Sequence, residues 1–404
     1  MEIDTFVVKP PLDEDAVPVT VPISRATTIA HSNTAKFREA AQAFVDDRNR
    51  SDFYSRIGNP TASYVAQRIA YLEEAEEALL FSSGMGAISS TLLSLLRTGD
   101  HLICQAPIYG HTQSFVTDYI TQFGVDVDFV AAPSAASVKK LMNDRTKLVY
   151  IETPSNPRVT LTDIADVSSV TSGSGIRLVV DSTFASPYLS KPLLLGADLV
   201  IHSGSKYLGG HSDVICGAAA GSAELMSVIH EWQMRLGTVI DPQGAWLLDR
   251  GIKTLPLRVQ RHCDNALAVA KFLQENGDVI HEVNCPMLPG SPYHRLMNEQ
   301  MPNGSGGVIS FSVNGGMRCA RAFLDAMQIV SIATSLGGVE SLIEIPGDIQ
   351  YKGKSADEVG AANATAGEED TSPALVRFSV GIEAINDLLD DVGRGIAAAR
   401  DSLS

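Results

Sequence analysis

At 404 residues and 45% hydrophobic content, the chain is long enough for two or three domains and is composed like a globular protein. Its 47 acidic against 31 basic side chains leave a formal charge of −16, which repels the phosphate backbone on which nucleic-acid binding depends, and no apolar run of about 18 residues is present to span a membrane. The five cysteines stand far apart, with no Cys-x-x-Cys pair and no histidine cluster of metal-binding spacing, so reduced thiols and no metal are expected.

The acidic opening is unlike a secretory signal, and a cytoplasmic location is expected. Residues 1–57 hold a Pro-rich stretch and then a helical pattern at 36–46, and read as an arm. From 58 to 257, short apolar runs at 79–81, 101–104, 125–130, 147–151, 177–180 and 199–201 predict strands. Helical patterns lie between several of them, such as 87–97 with Ile88, Leu92, Leu95 and Leu96. Alternating strands and helices imply an α/β domain with a mostly parallel sheet covered on both faces. Sheets of that kind bind ligands beyond the carboxyl ends of their strands. From 258 to 404 the texture changes to a helix at 265–276 and strands at 308–313 and 375–380, which suggests a smaller α+β domain. Within it, residues 347–372 are rich in Gly, Ala, Asn, Thr and acids, and read as a loop or lid.

The chemistry falls where strands end. Lys206 follows the 199–201 strand in a turn with Ser203 and Ser205, hydroxyls suited to a phosphate beside a lysine that bonds an aldehyde. The 177–180 strand ends in Asp181, with Thr183 two residues on. A carboxylate there suits the ring nitrogen of pyridoxal phosphate, because a protonated ring accepts the electrons of a carbanion. Asp181 would serve equally well as a turn or cap residue. Ser83, Gly84 and Met85 lead from a strand into a helix, whose start presents free amides and a partial positive charge to an anion. The third glycine of a dinucleotide fingerprint is missing, so a smaller phosphate fits better. Tyr54 and Arg56, in a Gly- and Pro-containing loop, would pass alone for surface residues.

Taken in order with Tyr109, Glu152 to Pro157, Arg250 to Thr254, Ser335 to Gly338 and Arg377 to Glu383, these motifs resemble the cysteine/methionine-metabolism family of pyridoxal-phosphate enzymes. That family includes cystathionine γ-synthase, γ-lyase and β-lyase, methionine γ-lyase and the homoserine sulfhydrylases, and the likeness runs from about residue 20 to the end. It implies a type I, aspartate aminotransferase-like fold and γ-elimination or γ-replacement on a small-molecule amino acid. It further implies that Lys206 holds the cofactor and moves protons with Tyr109, over a ring held by Asp181. Ser83, Gly84, Met85, Asn156, Thr183, Ser203 and Ser205 join the cofactor site by the same analogy. Tyr109 would stack on the ring, and Asn156, Ser335 and Arg377 would hold the substrate beside Tyr54 and Tyr109. Tyr54 and Arg56 would reach the phosphate in a neighbouring subunit, so that a homodimer or homotetramer shares its sites.

Three features leave the family pattern: Thr334 stands where cystathionine enzymes carry Glu, His111 where methionine γ-lyases carry Cys, and residues 346–351 replace the family's usual stretch. An unusual γ-substituted substrate such as a halogenated amino acid, a β-lyase, an aminotransferase of the same fold, and a non-catalytic binding protein are the rival readings.

Overall fold

The alternation of apolar runs and helices builds a central sheet of seven strands. The computed structural model describes residues 1–8, 19–46, 53–350 and 374–404. The strands are β1 (Glu77–Phe81), β2 (His101–Gln105), β3 (Asp126–Val130), β4 (Thr146–Glu152), β5 (Arg177–Asp181), β6 (Leu199–His202) and β7 (Gly217–Gly221), in the order β1-β7-β6-β5-β4-β2-β3. Only β7 runs against the others. Apart from the edge strand β3, the strands are buried on both faces, as a helix-covered sheet requires. On β4, Leu148 and Tyr150 enter one apolar cluster while Val149 and Ile151 enter another.

The six strands read from the sequence all form, with ends that differ by a residue or two. β7 escaped notice because Gly217, Ala218, Ala219, Ala220 and Gly221 lack the branched and aromatic residues that mark strands. Its small residues answer to crowding. A Cβ on Gly217 would stand 2.2 Å from the Ser83 carbonyl oxygen, and one on Gly84 would stand 2.8 Å from Ser203 Cβ. The start of the Gly84–Leu95 helix is thereby drawn against the turn that carries Lys206.

The second sheet contains β8 (Ile280–Asn284), β9 (Val308–Val313), β10 (Ser331–Ile332), β11 (Leu342–Glu344) and β12 (Leu375–Ser379), ordered β10-β11-β12-β9-β8. The helix Leu255–Gln274 begins ten residues before the expected one and runs without a break past position 258. Buried Arg258, His262 and Asn265 hid its first half from the apolar pattern, and each makes a hydrogen bond outside the helix. Arg258 donates to the Gly251 carbonyl at 2.8 Å, and Asn265 donates to the Gly381 carbonyl at 3.0 Å. A C-terminal helix, Ile385–Leu403, lies over Gly316–Asp325; the sequence reading had not singled it out. Residues 346–350 form a short helix, and the rest of the expected acidic loop lies outside the described residues.

Of the N-terminal segment, the expected helix forms at Thr34–Asp46. Ile3–Phe6 is a helical turn fastened to its own chain: the Phe6 ring stacks on Tyr71 with centroids 3.6 Å apart, and Arg68 donates to the Val7 carbonyl and to Asp249 at 2.8 Å.

Substituting Gly217→Ala pushes a methyl group into backbone rather than into a flexible side chain, so a destabilisation of about 1–3 kcal/mol is expected, as for other overpacked sites. Urea unfolding of the cofactor-free protein measures it; an unchanged midpoint would show that β7 and the Ser83 turn can part at no cost.

Candidate active site

Three neighbouring strands bring their carboxyl ends to one place. β4 ends at Glu152, β5 at Asp181 and β6 at His202, and Glu152 and Asp181 are register partners. Asp181 is only 4% exposed, so its charge depends on hydrogen bonds rather than water. Oδ1 accepts from the Thr183 amide at 3.0 Å and the Thr183 hydroxyl at 2.6 Å, while Oδ2 accepts from the Tyr150 hydroxyl at 3.1 Å. Burial raises its proton affinity, and the Thr183 hydrogen bonds and nearby His202 oppose that rise. His202 Nε2 meets Glu73 Oε1 at 2.5 Å in a fully buried pair.

Glu152 was quoted in the sequence motif but given no role there. Its Oε2 accepts from the Tyr109 amide at 3.0 Å and its Oε1 from the Asn156 amide at 2.6 Å. One buried carboxylate thus fixes both loops that flank the site. Desolvation, and then the charge of Asp181, push its pKa up to about 8. Two carboxyl groups side by side in a dry place hold one proton between them well above the usual carboxylate range.

The Lys206 turn continues the arrangement. Thr183 Oγ1, besides donating to Asp181, accepts from the Ser203 amide at 2.8 Å, so the two turns are tied together. Lys206 Nζ donates to Ser335 Oγ at 3.2 Å. Burial, and then the positive charge of Arg377, lower its pKa, which favours a neutral, nucleophilic amine. Arg377, on β12, donates from Nη1 to Asn156 Oδ1 at 2.9 Å and from Nη2 to the Ser335 carbonyl at 3.1 Å. It also pairs with Glu344, a residue that the sequence reading did not select. A charged residue inside the apolar run Leu342-Ile343-Glu344-Ile345 was the available signal. Tyr109 leaves 40% of its surface open, enough to receive a ligand, and its ring stands edge-on to His111 at 5.5 Å.

For a phosphate, the amides of Gly84 and Met85 open the Gly84–Leu95 helix and have no intrahelical acceptor. Ser83 Oγ caps this helix, accepting from the Gly86 amide at 2.9 Å, and retains its proton for donation. The Ser203 hydroxyl makes no hydrogen bond with the described residues. Ser205, by contrast, donates to the Cys216 carbonyl at 3.2 Å and accepts from its amide at 2.9 Å, so its proton is committed to the turn. Lysine amine, buried carboxylate, half-open tyrosine, free helix amides and a free hydroxyl form a donor set that fits pyridoxal phosphate.

Tyr54 and Arg56 do not join this group within the chain. Tyr54 forms a bridge with Thr28, and Arg56 donates to the Met234 carbonyl at 2.7 Å with its guanidinium over the Tyr54 ring. Neither makes a contact with Lys206, Asp181 or Arg377.

Comparison with known proteins agrees with this donor set. A family model described as Cys/Met metabolism PLP-dependent enzyme matches residues 4–397. An L-methionine γ-lyase of Fusobacterium nucleatum subsp. polymorphum is 39% identical over 346 residues, covering 85% of each chain. A cystathionine β-lyase of Lactococcus lactis subsp. cremoris is 39% identical over 343 residues, covering 84% of this chain and 87% of the other. The crystal structure of cystathionine γ-lyase from Lactobacillus plantarum with L-serine superposes with a TM-score of 0.87 at 35% identity, covering 99% of this chain and all of that one.

The shared proton has a consequence for pH. A carboxyl group whose proton affinity is raised in the folded chain favours folding below its ordinary value, and that contribution is lost as pH climbs through the folded value. For Glu152 the window runs from 4.5 to about 8. Urea midpoints of the cofactor-free protein should therefore fall between these pH values more steeply in the wild type than in Glu152→Gln. Equal slopes would mean that Glu152 gives up its proton as easily folded as unfolded.

Proposed function

Because the chain belongs to the Cys/Met-metabolism PLP-dependent enzymes, we propose that it carries out γ-elimination or γ-replacement on an L-amino acid with a γ leaving group, methionine being the substrate best supported by its relatives. The observation that carries this reading is the bridge made by Ser335, whose hydroxyl takes Lys206 and whose carbonyl takes Arg377. A base and a carboxylate receptor are thereby held one residue apart. That spacing suits an amino acid whose carboxylate rests on Arg377 while its α-hydrogen faces Lys206.

When bound, pyridoxal phosphate supplies the electron-accepting ring that lets the α-carbon lose its proton. The chain's own residues do the remaining work. Asp181 holds a negative charge against the ring nitrogen, supported by Thr183 and Tyr150. Lys206 would hold the cofactor through its amine and, once free, would move protons at the substrate's carbons as a base. Burial raises the pKa of Tyr109 and keeps its hydroxyl protonated, and its half-open ring would stack on the cofactor and face the leaving group. Ser203 and the amides of Gly84 and Met85 hold the phosphate, and Asn156 holds Arg377 in place.

Tyr54 and Arg56 serve a neighbouring subunit in this reading, so the active form is a homodimer or homotetramer. The support is that the partners of Tyr54 and Arg56 within the chain are Thr28, Met234 and each other rather than Lys206, together with the motif that carries them. Mixing inactive Arg56→Ala with inactive Lys206→Ala under subunit exchange is then expected to restore activity, since a hybrid dimer contains one intact site. No recovery, with exchange verified by mass spectrometry, would assign the arm to its own subunit.

Incubation with L-methionine tests the reaction itself: 2-oxobutanoate, ammonia and methanethiol are expected in equal amounts. Pyruvate from cystathionine, with no turnover of methionine, would favour the β-lyase that one relative represents. An amino group retained on the cofactor, without ammonia, would make the protein an aminotransferase. Borohydride reduction followed by peptide mapping should mark Lys206, and a mark on another lysine would overturn the site.

A further inference from the structure

The guanidinium assigned to the substrate carboxylate is already engaged. Arg377 Nη2 stands 2.6 Å from Glu344 Oε1 and also donates to the Ser335 carbonyl, while Nη1 serves Asn156. Glu344 and Arg377 are register partners across β11 and β12, and they are only 8% and 7% exposed. A guanidinium offers a carboxylate two forks, Nη1 with Nη2 or Nε with Nη2. Both forks include Nη2. Nη2 carries one hydrogen toward each fork and gives a hydrogen bond to the Ser335 carbonyl, so a carboxylate docking on either fork meets the like charge of Glu344 beside that nitrogen.

A second feature of Glu344 points the same way. Its other oxygen, Oε2, is buried and has no hydrogen-bond partner among the described residues. A buried acceptor without a donor is costly to maintain, so the pair is held in a state that a better-matched anion can replace. Arg377 and Lys206 are the cationic groups that act on it.

We propose that Glu344 is a placeholder anion: it pairs with Arg377 at Nη2 and must yield that nitrogen to the α-carboxylate of the substrate. The inference rests on the reading of Arg377 as the carboxylate receptor. It makes Glu344 a specificity residue, since a ligand with an amide or ester in place of the carboxylate has no charge with which to displace it. It also means that Glu344 opposes ligand binding, whereas a residue that merely held Arg377 in shape would favour it.

The sign of one substitution separates these roles. On the holoenzyme, KM and kcat for L-methionine are measured with the dissociation constant of 3-(methylthio)propanoate, a carboxylate probe that has no amine and cannot react. In Glu344→Gln the neutral amide competes weakly, and both KM and the probe's dissociation constant are expected to fall about three- to tenfold. Glu344→Leu, which offers no oxygen at all, should move them in the same direction. A rise, or no change, in the probe's dissociation constant in the Gln variant would overturn the proposal. Failure of the underlying reading looks different: Arg377→Ala in an otherwise wild-type protein would then bind the probe as well as the wild type does.

Discussion

The buried carboxylate at the end of β5 is the group around which the neighbouring strand ends and turns are tied. Burial raises the proton affinity of Asp181. Two donors from Thr183 and one from Tyr150 favour the charged form, and His202, itself held by buried Glu73, adds a favourable potential. Carboxylates that accept several hydrogen bonds keep their charge in places where water does not reach them. The neighbouring Glu152, its proton affinity raised by burial and by Asp181, spends both of its oxygens on the amides of Tyr109 and Asn156. The charge at the centre and the shape of the rim are thus set by two adjacent strand ends.

The two sheets meet through this site rather than beside it. Ser335 touches Lys206 of the first sheet with its side chain and Arg377 of the second with its carbonyl. Its backbone has φ of +92°, a conformation that a residue other than glycine adopts only when its surroundings demand it. Gly337, at φ +71°, follows in the same loop, where a Cβ would stand 2.8 Å from the Tyr207 amide nitrogen. The Ser335–Gly337 loop is therefore pressed against the lysine turn, which fixes Lys206 relative to Arg377.

What the sequence made legible follows from how each feature is encoded. Strands of branched residues such as β5 and β9 announce themselves by composition, and Lys206 and Asp181 stand directly after such strands. β7 does not, because its glycines and alanines answer to a close approach that only the folded chain reveals. Tyr150 and Glu152 share one face of β4 with period two, but an apolar run conceals which face meets Asp181. Glu344 faces Arg377 only after β11 and β12 pair, and the many residues between them hide that register. Ser205 was grouped with Ser203 by spacing alone, whereas the turn directs its hydroxyl to Cys216.

The central claim is that Asp181 keeps a charge in a dry site and thereby keeps the ring nitrogen of the cofactor protonated. Nitrogen NMR of enzyme loaded with isotope-labelled pyridoxal phosphate measures this directly. At neutral pH the wild type is expected to show a protonated pyridinium nitrogen, and Asp181→Asn a bare pyridine nitrogen. A protonated nitrogen in both proteins, or in neither, would contradict the account.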